Sequence, residues 1–149
     1  MNNPTMNNPT TSRLMDILKS ADDTGRLTAY MEGEAGNFFD MTSAEYLCNM
    51  ISEHKMEKAA VIAGSGIERT YGYQILNGLK NPGREKTVAL CLAAGCDLKE
   101  TQRALEISGA GILYPKRKRD AILIFALSKG LSVMETNALL DEFEEPALG

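Results

Sequence analysis

Residues 65–83 read SGIERTYGYQILNGLKNPG, and the assignment of this stretch decides the fold. Gly66 and Gly78 bracket a short helix. Ile67, Ile75 and Leu79 are expected to face the core. Arg69, Thr70, Tyr71, Tyr73 and Gln74 stand where a buried helix would carry aliphatic side chains. Tyr71 and Tyr73 are two residues apart and cannot share one helix face. One is expected to pack and the other to be exposed, with Tyr71 the more polar position.

The text on either side is helical too. Upstream, MTSAEYLCNMISEHKM offers Thr42 or Ser43 as an N-cap, Glu45 in the first turn, and an apolar stripe of Tyr46, Leu47, Met50 and Ile51. EKAAVIAGSG is a second helix stopped by Gly64 and Gly66. Downstream, Asn81-Pro82-Gly83 makes a turn into a fourth helix. DLKETQRALEISG is a fifth, with Asp97 and Glu100 as a capping box. KRKRDAILIFALSKG follows, with Pro115 suited to its start. SVMETNALLDEFEE repeats the box with Ser132 and Glu135. Nearer the N-terminus, Leu14, Ile17 and Leu18 share one helix face, and Leu27, Tyr30 and Met31 another. The second of these helices is expected to end near Gly33 or Gly36. MNNPTMNNPT is a tandem five-residue repeat without an apolar face, read as a disordered tail. No segment alternates with period two, so the fold class is all-α.

The two C-terminal helix pairs match at an offset of 35 residues. Arg84 aligns with Arg119, Glu85 with Asp120, Leu92 with Leu127 and Gly95 with Gly130. Glu100 aligns with Glu135, Thr101 with Thr136 and Leu105 with Leu140. Two related helix pairs packed side by side are expected.

Bulk properties exclude several classes. No run approaches the roughly 18 apolar residues of a membrane span, and the N-terminus lacks a signal pattern, so a cytoplasmic protein outside the membrane is expected. Cys48, Cys91 and Cys96 are an odd set without a disulfide framework and are read as buried, reduced thiols. The five-residue spacing of Cys91 and Cys96 is not a zinc spacing, and the only histidine, His54, is far off in sequence. No metal site and no cofactor are therefore expected. Without a pairing of nucleophile and base, no enzyme is expected either. GSG and GAG lack a preceding strand and make no phosphate loop.

The net charge of −4 is unevenly spread. Residues 1–42 hold three basic and six acidic residues, and 43–82 four of each. Residues 83–119 hold eight basic and four acidic, and 120–149 one and six. A polyanion would be met between Arg84 and Arg119.

Two short helices around a glycine turn, the second with a polar face, follow helix-turn-helix grammar. HKMEKAAVIAGSGIERTYGYQILNGLKNP resembles the λ repressor and Cro class, the XRE family, over residues 43 to about 107. The marks are the Gly66-Ile67 turn, the Arg69-Thr70 helix start, the NGLKNP exit and a helix ending LAAG. Glu68, Gly72 and Leu76 depart from the family pattern, at positions where a Ser or Thr cap, an aliphatic residue and often Glu are usual. Gly72 is expected to admit the tyrosines or another helix closely. The remaining chain is similar to a bacterial subgroup with an N-terminal helical arm and a C-terminal helix pair.

The resemblance implies residues 1–11 as tail, 12–42 as arm, 43–107 as DNA-binding domain and 108–149 as helix pair. It implies a dimeric, sequence-specific regulator that places helix 68–77 in the major groove of double-stranded DNA. Arg69, Thr70, Tyr71, Tyr73 and Gln74 would read bases. Lys58, Asn77, Lys80, Asn81 and Arg84 would contact phosphate. Lys116, Arg117, Lys118 and Arg119 form a second basic patch. Arg69 paired with Glu68 or Glu57 is the plain alternative for that residue. The AILIFAL helix is either a homodimer surface or a buried helix. Two other functions are carried: an adaptor that binds a protein partner, and a small-molecule sensor with a pocket between the helix pairs.

Overall fold

The computed structural model describes residues 11–33 and 41–149. It divides into two compact units, residues 1–40 and 41–149. The expected tail, save Thr11, and the stretch around Gly36 lie outside the described residues. Every regular element among the described residues is a helix, so the fold is all-α.

The first unit holds α1 (Thr11–Ser20) and α2 (Thr24–Gly33). Asp23 starts α2, its Oδ1 accepting the Arg26 N–H at 2.9 Å. Neither helix buries a residue, and Met15, Ile17, Leu18, Leu27 and Met31 are exposed.

The second unit holds α3 (Ser43–Glu53), α4 (Lys58–Ser65), α5 (Arg69–Leu76), α6 (Arg84–Ala94), α7 (Leu98–Ser108), α8 (Lys118–Lys129) and α9 (Val133–Glu142). Local chemistry sets the ends. Thr42, Asp97 and Ser132 each cap a helix and close a box with Glu45, Glu100 and Glu135, together satisfying N–H groups that a helix start leaves unpaired. Pro115 does not start α8. It sits one residue into a turn closed by Arg117 N–H to Tyr114 carbonyl at 3.0 Å, where its fixed φ suits the turn.

Two apolar clusters meet on α6. Leu90, Cys91 and Ala94 join Leu47, Ile51, Val61, Ile62, Ile75 and Leu76 in the first. Val88, Ala89 and Leu92 join Leu105, Leu113, Leu123, Leu127 and Leu140 in the second. Residues 87–92 of α6 are all buried, the pattern of a helix covered on both sides. Residues 43–107 and 108–149 therefore share a core within one unit. The AILIFAL helix buries Ile122, Leu123, Ala126 and Leu127 there, while Phe125 stays half-exposed.

The 35-residue match extends into the hydrogen bonds. Thr101 and Thr136 hydroxyls donate to the carbonyls of Asp97 and Ser132. The Gln102 amide bonds the backbone of Leu113 in both directions, and the Asn137 carbonyl oxygen accepts the Leu148 N–H. Arg84 donates to the carbonyls of Gly111 and Ile112, and Arg119 to those of Pro146 and Ala147. Each pair of partners is 35 residues apart. The ion pairs, by contrast, are exchanged: Arg84 grips Asp120, and Arg119 grips Glu85. Reciprocal contact of this kind is the signature of an isologous interface, here formed within one chain. Each helix pair brings its own strap, residues 109–114 and 144–149, whose first residues Gly109 and Glu144 both take a left-handed φ, at 71° and 61°.

Candidate nucleic-acid interface

The α4–α5 turn is fixed by residues within it. The Ser65 hydroxyl donates to the Ile62 carbonyl at 2.7 Å and accepts the Ile67 N–H at 3.1 Å. Gly66 takes φ 78°, a conformation that costs a residue with a Cβ. Glu68 then caps α5. Its carboxylate accepts the N–H groups of Thr70 and Tyr71 at 2.9 and 3.1 Å. The backbone bond from Thr70, and then that from Tyr71, holds the Glu68 carboxyl below its ordinary range. Glutamate thus serves as the side-chain cap of α5.

Gly72 also has a physical reason. A Cβ there would lie 2.6 Å from Ile62 Cγ2, and isoleucine in a helix has little freedom to turn away. The bare backbone of α5 lets α4 approach, so the general cost of glycine in a helix is offset by this contact. Leu76 is buried beside Ile75 in the first cluster.

With Gly72, Ile75 and Leu76 inward, helical spacing puts residues 70, 74 and 77 on the opposite side and Tyr73 at its margin, while Arg69 is open to solvent as the first residue of the helix. Arg69, Thr70 and Asn77 are exposed, and Tyr73 and Gln74 half-buried. Among the described residues Arg69 makes no ion pair, with Glu68, Glu57 or any other group. Lys58 opens α4 and is exposed. Lys80 and Asn81 are exposed at the exit, where the Leu79 and Lys80 N–H groups turn back to the Gln74 carbonyl at 2.8 and 3.2 Å.

Four expected placements are corrected. Leu79 does not face the core: it is 72% exposed, because Gly78 at φ 82° swings the chain outward. The tyrosines do not split into packed and exposed. Both are half-buried against the first cluster, lying on either side of the close-packed Gly72, and the Lys86 ammonium sits 5.5 Å from the Tyr71 ring centroid. Arg84 does not stand free for phosphate. Its guanidinium makes two bonds to Asp120 at 2.8 and 2.9 Å and two to the Gly111 and Ile112 carbonyls. Arg119 likewise leaves the second basic patch, held by Glu85 at 2.6 Å and by the 146–147 carbonyls. Lys118 lies 3.8 Å from Glu145, while Lys116 and Arg117 are exposed.

Asp120 is 2% exposed. Burial pushes its carboxyl up, but the Arg84 hydrogen bonds, the Tyr114 N–H and the charges of Arg84 and Arg117 together outweigh that and hold it below its ordinary value. It is a structural anion, not a chemical group waiting for a substrate. A cleft lies between the α4–α5 turn, α6 and the last two residues, lined by Glu68, Tyr71, Glu85, Lys86 and Leu148 among others.

Sequence distance also concealed one cluster. A ring nitrogen of His54, Cys96 Sγ and a Glu100 carboxylate oxygen all lie within 4.8 Å of one another, because the C-terminus of α3 packs over the α6–α7 link. Cys91 and Cys96 are buried and Cys48 half-buried, all as free thiols. No described helix is long and apolar enough to cross a membrane. Comparison with family models, with curated proteins and with solved structures found no match.

Proposed function

We propose that α4 and α5 form a helix-turn-helix of the λ repressor and Cro class, and that the protein is a bacterial, cytoplasmic regulator of transcription that binds double-stranded DNA by sequence. The observation that carries this reading is the outward face of α5. Arg69, Thr70 and Gln74 stand on a helix whose other face is locked into the core, and Arg69 is not engaged by any acidic partner among the described residues. Arginine can grip guanine O6 and N7, and glutamine adenine N6 and N7, each worth roughly 1–3 kcal/mol of discrimination. Lys58, Asn77, Lys80 and Asn81 flank that face and serve as phosphate contacts. Arg84 and Arg119 are left out of the interface. Tyr73 borders it, and Tyr71 supports it from the packed side. One such helix reads few base pairs, so a homodimer on paired half-sites belongs to the reading.

Selection from a library of duplexes at several salt concentrations tests it. A motif should emerge, and Gln74→Ala should relax one position of it. Lys80→Ala should weaken all duplexes alike and reduce the salt slope by about one. Binding without a motif at any salt would defeat the reading.

A second reading, a protein-binding adaptor on the same scaffold, is favoured by Glu68. Its carboxylate is fixed at the start of α5, where a phosphate would approach and be repelled. Glu68→Gln separates the two: a tighter duplex complex marks DNA as the partner, and no change marks a surface that does not meet phosphate.

A further inference from the structure

We propose that His54, Cys96 and Glu100 bind a zinc-class divalent cation. The three donors come from three places in the fold, each fixed by its backbone. His54 is the C-cap of α3. Cys96 follows α6, its N–H bonded to the Cys91 carbonyl at 2.9 Å. Glu100 is the third residue of α7, held by its box with Asp97. His54 Nε2 and Glu100 Oε1 are already 2.9 Å apart, and a His54 ring nitrogen, Cys96 Sγ and a Glu100 carboxylate oxygen fall within 4.8 Å of one another. Bonds of about 2.0–2.3 Å from one ion to nitrogen, oxygen and sulfur require only small side-chain rotations, which open the 2.9 Å His54–Glu100 pair slightly.

The donor set selects the ion. One imidazole, one thiolate and one carboxylate suit zinc, whereas magnesium and calcium take oxygen donors. Cys96 is buried while His54 and Glu100 are half-exposed, so the sulfur lies at the floor and the ion enters over the other two. Water on that open side completes the tetrahedron. Cys96 is a free thiol in the fold. Coordination therefore replaces the S–H bond with a sulfur–metal bond and releases one proton to solvent. The bound ion would tie α3 to the α6–α7 link, behind the helix pair α4–α5. The inference stands apart from DNA binding, since no residue of the outward face of α5 takes part.

The test uses the full chain, reduced and stripped of metal, titrated with Co²⁺ as a spectroscopic probe and then with Zn²⁺ in competition. One ion per chain is expected, with a sulfur-to-cobalt charge-transfer band, the intense visible bands of a tetrahedral site, and a melting temperature raised by Zn²⁺. Cys96→Ser should abolish the charge-transfer band. His54→Gln and Glu100→Gln should each weaken binding by more than the roughly 10–100-fold that loss of an outer-shell partner costs. Glutamine at position 100 still closes the α7 box, and circular dichroism checks that each variant is helical. Cys48→Ser should change nothing. Absence of the charge-transfer band in the unaltered chain, or its survival in Cys96→Ser, would overturn the proposal whether or not the variants fold.

Discussion

The helix pairs α6–α7 and α8–α9 share a 35-residue grammar and meet different neighbours. Leu90 of α6 is 1% exposed, while Phe125, its counterpart in α8, is 49% exposed. Cys96 and Ala104 are buried against the first cluster, while their counterparts Leu131 and Leu139 are only half-buried. The inner faces are alike, with Val88 and Leu92 answering Leu123 and Leu127 in one core. The outer faces diverge because α3, α4 and α5 pack chiefly on the first pair, and only α4 reaches the second, at α9. Related text therefore yields the same hairpin and the same inner seam, but burial of the second face depends on which pair has the chain's remaining helices beside it.

The sharpest way to break this comparison is to cut the exchanged ion pairs one at a time. Asp120→Ala strands the Arg84 guanidinium and the Tyr114 N–H, and should cost about 3–5 kcal/mol in urea unfolding. Glu85→Ala acts on a pair whose carboxylate is 35% exposed rather than 2%, so water can replace it, and should cost less, about 1 kcal/mol. Equal losses would mean that the two halves of the exchange are energetically the same.

Outer-face burial comes next. Leu90→Ala should cost about 2–5 kcal/mol by cavity formation, whereas Phe125→Ala should stay within about 0.5 kcal/mol of the parent. A large loss at Phe125, growing with protein concentration, would place a partner on α8. The caps fall between these two. Asp97→Ala and Ser132→Ala should each cost about 1 kcal/mol, and by similar amounts, because each closes the same box.

The pH dependence of stability sharpens the first contrast. The Asp120 carboxyl is held low in the fold, so the unfolded chain takes up its proton first as pH falls. The stabilisation is complete above the unfolded value of about 3.9 and is lost as pH falls through the lower folded value. The urea midpoint should drop in that acid window, and Asp120→Asn should flatten the drop.

Much of this was legible in the text. Thr42, Asp97 and Ser132 announced helix starts, Gly66, Gly95 and Gly130 announced helix ends, and the 35-residue match announced the paired hairpins. The polar character of α5 was legible too, but not that Tyr71 and Tyr73 would both pack against the first cluster. Arg84 and Arg119 were not legible in the same way. Their local context is that of a basic segment, and nothing near them in sequence says that carboxylates 34 and 36 residues away will turn both inward. Tyr71 failed for a related reason, since its ring is held by α6, through Lys86. His54 was set aside on sequence distance, and the packing of α3 over the α6–α7 link removes that distance.

Local sequence is enough to set the helices, their caps and their turns. These are short-range matters, settled by hydrogen bonds three and four residues apart and by glycines at positive φ. Tertiary structure alone decided which charges face water and which face each other. A guanidinium exposed on an isolated helix and one gripped by a distant carboxylate have the same local sequence. Only the approach of the second helix removes the water between them.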